Sequence, residues 1–187
     1  VWGAVVRNLS KAGAKVIVFD IQFDAPDRQT EYLNEVRSSL QARGLGELVP
    51  AHGDSVFAEA IRDAQSNGTS VILASKLVQE PTRMPPQYIQ FPNPVLQTAN
   101  ADYGLVNEAP DKDGFSRQYY TFLQLEQEPG VWYPSLGVKA IQRFLDVEDN
   151  VLPSLNEDAT EINYGPLTIP IFSDDGRFLV NIYGPPS

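Results

Sequence analysis

Cysteine is absent from the 187 residues, and histidine and methionine occur once each. Without cysteine there are no disulfides, thiolate-held zinc or iron–sulfur sites, or thiol nucleophiles. The single imidazole, His52, rules out metal motifs that need a pair of histidines. Basic residues are also few, 14 against 24 acidic ones for a net charge of −10, and they form no run. Nucleic-acid binding depends on basic patches that displace counterions from phosphate, so no nucleic-acid partner is expected. An anchor on anionic lipid is disfavoured for the same reason. Long apolar runs are missing too. The densest, Val16-Ile17-Val18-Phe19, is far short of the ~20 residues a spanning helix needs. Neither G-x-G-x-x-G nor G-x-x-x-x-G-K-[ST] occurs, so nucleotide binding has no motif to support it. No basic, apolar and small-residue succession marks a secretory signal. The chain opens at Val1 directly in an apolar pattern, which reads as a fragment of a longer protein.

Hydrophobic residues make up 42% and charged residues 20%, a globular composition. At this size a single domain over residues 1–187 is expected, burying roughly 70% of its unfolded surface. Trp2, Val5, Val6 and Leu9 have helical spacing, with Gly13 as the stop. Ala14 to Phe23 reads as a strand whose unalternating apolar centre predicts cover on both faces. Tyr32, Leu33, Val36 and Leu40 mark a second helix. A third, capped by Asp54 or Ser55, carries Phe57, Ala58, Ile61 and Ala64 and stops at Asn67-Gly68. Val71 to Ala74 is again a short apolar strand. Five prolines between Pro81 and Pro94 predict a long crossing loop, with Tyr88, Ile89 and Phe91 able to pin it. Gly104 to Asn107 and Phe115 to Leu125 read as strands, and Val138, Ile141, Phe144 and Leu145 as a fourth helix. Asp146 to Glu161 reads as acidic and irregular. The end reads as strands, Leu167 to Phe172 and Arg177 to Tyr183, joined at Ser173-Asp174-Asp175-Gly176. The expected fold class is α/β: a mixed sheet with a parallel βαβ core flanked by helices, and C-terminal antiparallel hairpins.

Candidate chemistry is sparse. Asp20, Asp24 and Asp27 lie at or just beyond the carboxyl end of the first strand, which in open α/β sheets faces the ligand crevice. Carboxylates there can coordinate a cation or grip a polar ligand; turn hydrogen bonds account for the same residues. A soluble metal-dependent hydrolase using Asp20 and Asp24 is therefore one alternative, though no partner base or oxyanion hole is visible. Asp111-Lys112-Asp113-Gly114 resembles the opening of a calcium loop, but its glycine is fourth instead of sixth and no glutamate stands at the twelfth place, so a turn is the better reading. Pro134-Ser135-Leu136-Gly137 holds half of a G-x-S-x-G elbow with Tyr133 in place of the first glycine; Ser135 reads as a helix cap. His52 reads as a solvated loop histidine. Tyr119, Tyr120, Trp132 and Tyr133 can stack on a ring ligand, although strand aromatics mostly pack in cores. No catalytic set, metal site or cofactor is expected.

Five segments in order carry a resemblance to a known family. They are Ala12 to Phe23 with Pro26-Asp27; Phe57 to Ile61 with Val71 to Ala74; Gly104 to Asn107 with Asp111 to Arg117; Pro134 to Val138; and Phe178 to Gly184. Together they resemble the type-two CHASE domain, an extracellular sensing module associated with cyclases and histidine kinases. The resemblance implies a sensor domain and not an enzyme. It implies a place on the extracytoplasmic side of a bacterial cytoplasmic membrane, tethered by flanking helices, with a signal passed to a cyclase or kinase output domain. A small ligand or a periplasmic protein, and a second copy in a homodimer, are the implied partners. Asp20, Asp113 and Arg117 match recurrent polar positions and, with Asp24, are the ligand-binding candidates. Arg117 alternatively pairs with an acidic neighbour and holds the turn. Family members continue beyond the strand matched by Phe178 to Gly184, so a further core strand is expected past Ser187. A periplasmic protein-binding scaffold is the remaining alternative.

Overall fold

The stripe of Trp2, Val5, Val6 and Leu9 forms a helix as its spacing predicts, α1 (Trp2–Lys11). The computed structural model describes residues 1–27, 29–48, 52–109, 112–114, 116–172 and 176–179, and they fall into two compact units. The first comprises residues 1–74 and 91–102. After α1 it contains β1 (Val16–Phe19), α2 (Gln29–Ala42), a 3-10 turn at Gly46–Leu48, α3 (Gly53–Ser66), the first half of β2 (Ser70–Gln79) and the single turn α4 (Pro94–Gln97). Val16 to Phe19 pair in parallel with Ser70 to Leu73. The passage from β1 through two helices to β2 is thus the expected βαβ core.

Val71, Ile72, Leu73 and Ala74 are all buried, as a strand covered on both faces should be. β1 departs from that expectation: Ile17 and Phe19 are buried while Val18 is 41% exposed. Its unbroken apolar run reflects β propensity as well as burial. The strand is also shorter than Ala14 to Phe23, because its ladder ends at Phe19 opposite Leu73. Trp2 meets Phe19 and Phe23 edge-on at ring distances of 5.7 and 6.0 Å, and Phe57 meets the same two at 5.3 and 5.2 Å, the arrangement that opposed ring quadrupoles favour. Gly3 lets α1 approach α3 closely, since a Cβ there would stand 2.9 Å from the Val56 carbonyl oxygen. His52 is not a free loop histidine. It caps α3, its Nδ1 accepting from the Asp54 N–H at 3.1 Å, the helix's first orphan-donor region being served by a ring nitrogen where Asp54 or Ser55 was expected.

The second unit comprises residues 75–90 and 103–187. In it the second half of β2 pairs antiparallel with β3 (Gln87–Gln90), Leu77 opposite Ile89 and Val78 opposite Tyr88. The proline-rich stretch is therefore not all loop: the four residues between Pro86 and Phe91 form a short strand. β4 (Asp102–Leu105) also pairs with β2. β5 (Glu108–Ala109) and β6 (Gln118–Tyr120) form an antiparallel pair. The expected strand from Phe115 to Leu125 breaks at Thr121, and β7 (Phe122–Leu123) pairs instead with β8 (Tyr133–Pro134). The break has a tertiary cause: buried Thr121 donates its N–H and its hydroxyl to the Gly176 carbonyl, at 3.2 and 2.7 Å, and its carbonyl accepts from the Ser135 N–H at 2.8 Å. Ser135 then caps α5 (Leu136–Phe144) as expected, its hydroxyl accepting from the Val138 N–H at 3.4 Å.

A third antiparallel set follows, β9 (Ser154–Leu155), β10 (Glu161–Tyr164) and β11 (Leu167–Pro170), in the order β11-β10-β9. β9 lies inside the stretch expected to be irregular. The stretches expected to form a hairpin, Leu167–Phe172 and the strand from Arg177, meet through the Phe172 N–H, which donates to the Arg177 carbonyl at 3.1 Å, while their ladders run to other strands. β11 pairs with β10 through a two-residue turn opened by Gly165 at φ +57°, and β12 (Arg177–Leu179) pairs with β6. Asp111, the residues 173–175 and the end of the last matched segment lie outside the described residues. The core of this unit is Phe122, Val138, Val147, Ile162, Tyr164 and Ile171.

Candidate functional site

Asp20 and Asp24 lie exposed on the loop that follows β1 in the first unit. That loop is fastened along its length. Buried Asn93 donates its backbone N–H to the Phe23 carbonyl at 2.7 Å and its Nδ2 to the Ala25 carbonyl at 3.5 Å. The Asp27 N–H donates to Asp54 Oδ2 at 3.0 Å. Asp27 and Asp54 are thus engaged with each other by geometry that builds a turn. Among the described residues no group of three or more His, Asp or Glu stands close enough to hold a metal ion.

Asp113 and Arg117 belong to the second unit. They form an ion pair at 2.9 Å across the turn between β5 and β6, both largely exposed. The arrangement is that of a turn clasp, the alternative weighed for Arg117, with the Gly114 φ of +82° supplying the reversal.

A cavity of about 470 Å³ opens in the second unit, within the usual size range of small-molecule sites. The break at Thr121 builds it, because the chain leaves one sheet there and presents Tyr120, Phe122 and Leu123 in succession as wall. Trp132 ahead of β8, Leu155 of β9 and Ile162 of β10 complete the apolar lining. Of the four aromatics singled out in the sequence, Tyr120 and Trp132 line this cavity. Tyr119 packs on Phe178 with ring centres 6.4 Å apart. Tyr133 donates its hydroxyl to Glu128; burial, that bond and the Glu128 charge push its phenol up to about 12.

A smaller cavity of about 100 Å³ shares Phe122, Trp132 and Pro153 with the first, and adds Lys139, Gln142, Asp149 and Tyr164. Lys139, Gln142 and Arg143 stand on one face of α5, and all three reach Asp149 beyond the helix end. Lys139 Nζ donates to Oδ1 at 3.0 Å, Gln142 Nε2 to the same oxygen at 3.1 Å, and Arg143 Nη2 to Oδ2 at 2.9 Å. Partial burial works against the carboxylate, but the Arg143 and Lys139 contacts outweigh it and hold the Asp149 carboxyl below its ordinary range. Burial first and the Asp149 charge second push the Tyr164 phenol up. Gln142 is 2% exposed. Its amide nitrogen also donates to the Val147 carbonyl at 3.3 Å, so two acceptors on one side fix which way the amide points. Its Oε1 has no hydrogen-bond partner among the described residues.

No curated protein and no solved structure matches the chain. Set against known protein families, it matches the CHASE2 domain over residues 1–187, its whole length. The chain belongs to the CHASE2 domain family, extracellular sensory modules of signalling receptors.

Proposed function

We propose that this domain is the ligand-sensing part of a membrane-bound receptor on the outer side of a bacterial cytoplasmic membrane, and that it passes a signal to a cytoplasmic cyclase or kinase output domain. The observation that carries the reading is the family match along all of residues 1–187. The second unit supports it with a walled cavity of small-molecule size. No helix among the described residues is long and apolar enough to cross a membrane, so the tether in this reading is supplied by flanking helices. The partners are a small ligand and a second copy of the domain, twofold dimers being the commonest assemblies.

A ligand reports across a bilayer only by favouring one arrangement of the membrane attachments over another. α1 is the element next to the amino-terminal attachment in this scheme. Single cysteines placed through residues 1–9 of the full-length membrane protein test it by disulfide crosslinking. The expected result is crosslinking that recurs with helical period and changes when the receptor is stimulated. Crosslinking indifferent to position and stimulus would leave α1 as core packing and remove the proposal.

A further inference from the structure

We infer that the two adjoining cavities of the second unit form one ligand site, for a small neutral molecule with an apolar body and a hydroxyl-type hydrogen-bond donor at one end. The larger cavity supplies the apolar part, with Tyr120, Phe122, Trp132 and Leu155 in its wall. The smaller shares Phe122, Trp132 and Pro153 with it, so the polar end of a ligand lies next to its apolar body. Gln142 belongs to the wall of that smaller cavity, is 2% exposed, and has an Oε1 without a partner among the described residues. A buried acceptor left unpaired is costly, and a donor brought by a ligand relieves the cost.

The charges in the wall choose the kind of donor. Lys139 and Asp149 stand in that wall already paired with each other at 3.0 Å, so a cationic head would meet Lys139 and an anionic head would meet Asp149. A carboxylate head would bring a second acceptor to Gln142 Oε1 and satisfy nothing there. A neutral hydroxyl donates a hydrogen bond to Gln142 Oε1 and still has lone pairs to turn toward the Lys139 side. The inference deepens the sensor reading by naming a ligand class. Its test is binding to the chain alone, so its failure leaves the receptor reading to the crosslinking experiment.

The test compares phenylbutanol with its methyl ether, phenylbutylamine and phenylbutyrate, following Trp132 fluorescence in a Trp2→Phe background. The alcohol is expected to bind at least about tenfold more tightly than the ether, the worth of one hydrogen bond to a buried acceptor. Gln142→Leu keeps the shape and removes the acceptor, and should bring alcohol and ether to within about twofold. Leu155→Trp, at an exposed position of the larger cavity's wall, should abolish binding of every probe while the protein melts like the parent. Equal binding of alcohol and ether to the parent would mean that water serves Gln142, and would overturn the inference. So would an alcohol preference that survives Gln142→Leu, tighter binding of the amine or the acid, or no binding of the alcohol at all.

Discussion

Asn107 holds Leu77 of β2 with both ends of its side-chain amide, Oδ1 accepting from the Leu77 N–H and Nδ2 donating to the Leu77 carbonyl, each at 2.8 Å. One side chain thus does the work of a neighbouring strand residue. Asn107→Ala removes both bonds and leaves two main-chain groups of a half-buried strand unserved. A loss of about 1–3 kcal/mol is expected, read as a lower urea midpoint at unchanged slope. Asn107→Asp should be no better, because a carboxylate keeps the acceptor and loses the donor.

Gly104 precedes that position by three residues and packs against the start of α5. A Cβ on it would stand 2.5 Å from the Leu136 Cα and 3.0 Å from its nitrogen. Those are backbone atoms, so no side chain can swing aside. Gly104→Ala is expected to cost roughly 3 kcal/mol by overpacking. Gly114 is the comparison: its φ is +82° but a Cβ there meets nothing within 4 Å, so Gly114→Ala should cost only the left-handed strain of about 1 kcal/mol. Thermal unfolding of the two variants side by side measures the difference.

Arg117 and Asp113 pair in the open, where an ion pair contributes between zero and about 1 kcal/mol. Arg117→Ala should therefore shift the unfolding midpoint little, and the shift should fade in high salt. Asp149→Asn differs because it takes the partner from Lys139 and Arg143 together. Its depressed carboxyl contributes stability that is present above the ordinary carboxylate range and lost as pH falls through the folded-state value. Acid unfolding curves of the parent and of Asp149→Asn should accordingly diverge near neutrality and converge at low pH.

Tyr133 titrates on the alkaline side. Its phenol is raised to about 12 from the ordinary tyrosine value of 10.0, so the folded protein holds a proton that the unfolded chain gives up first. The contribution is fully present below the unfolded value and is lost as pH rises through the folded one. Ultraviolet titration should show late tyrosinates from Tyr133 and Tyr164, and Glu128→Gln should bring only the Tyr133 step earlier by removing the neighbouring charge.

Local chemistry was legible in the sequence, and long-range pairing was not. The spacing of Trp2, Val5, Val6 and Leu9 sets α1, the two apolar runs at Val16 and Val71 set the parallel pair, and Ser135 caps α5 as its place before an apolar stripe implies. The ordered motifs from Ala12 to the last strand identified the family. The division of one apparent strand at Thr121 depends on Gly176, 55 residues away, and no periodicity encodes such a contact. The choice of β6 as the partner of β12 is likewise tertiary. The cavity follows from those pairings, which is why Tyr120 and Trp132 could be singled out as aromatics without the site they line. Lys139, Gln142 and Arg143 left a fainter signal, three polar residues on one face of an apolar helix. Their meeting with Asp149 across the helix end needed the structure. Of the candidate site residues, Asp113 and Arg117 proved to face each other, a relation their spacing allowed but did not require.

The central claim is that this CHASE2 domain is a sensor whose cavity governs an output. The most direct test is the output activity, cyclase or kinase, of the full-length receptor in native membranes with saturating phenylbutanol, for the parent and for Leu155→Trp. The account predicts that the probe changes the parent's output and leaves the cavity-filled variant unchanged, with equal amounts of both in the membrane. An output that ignores the probe in the parent, or responds equally in both, would contradict it.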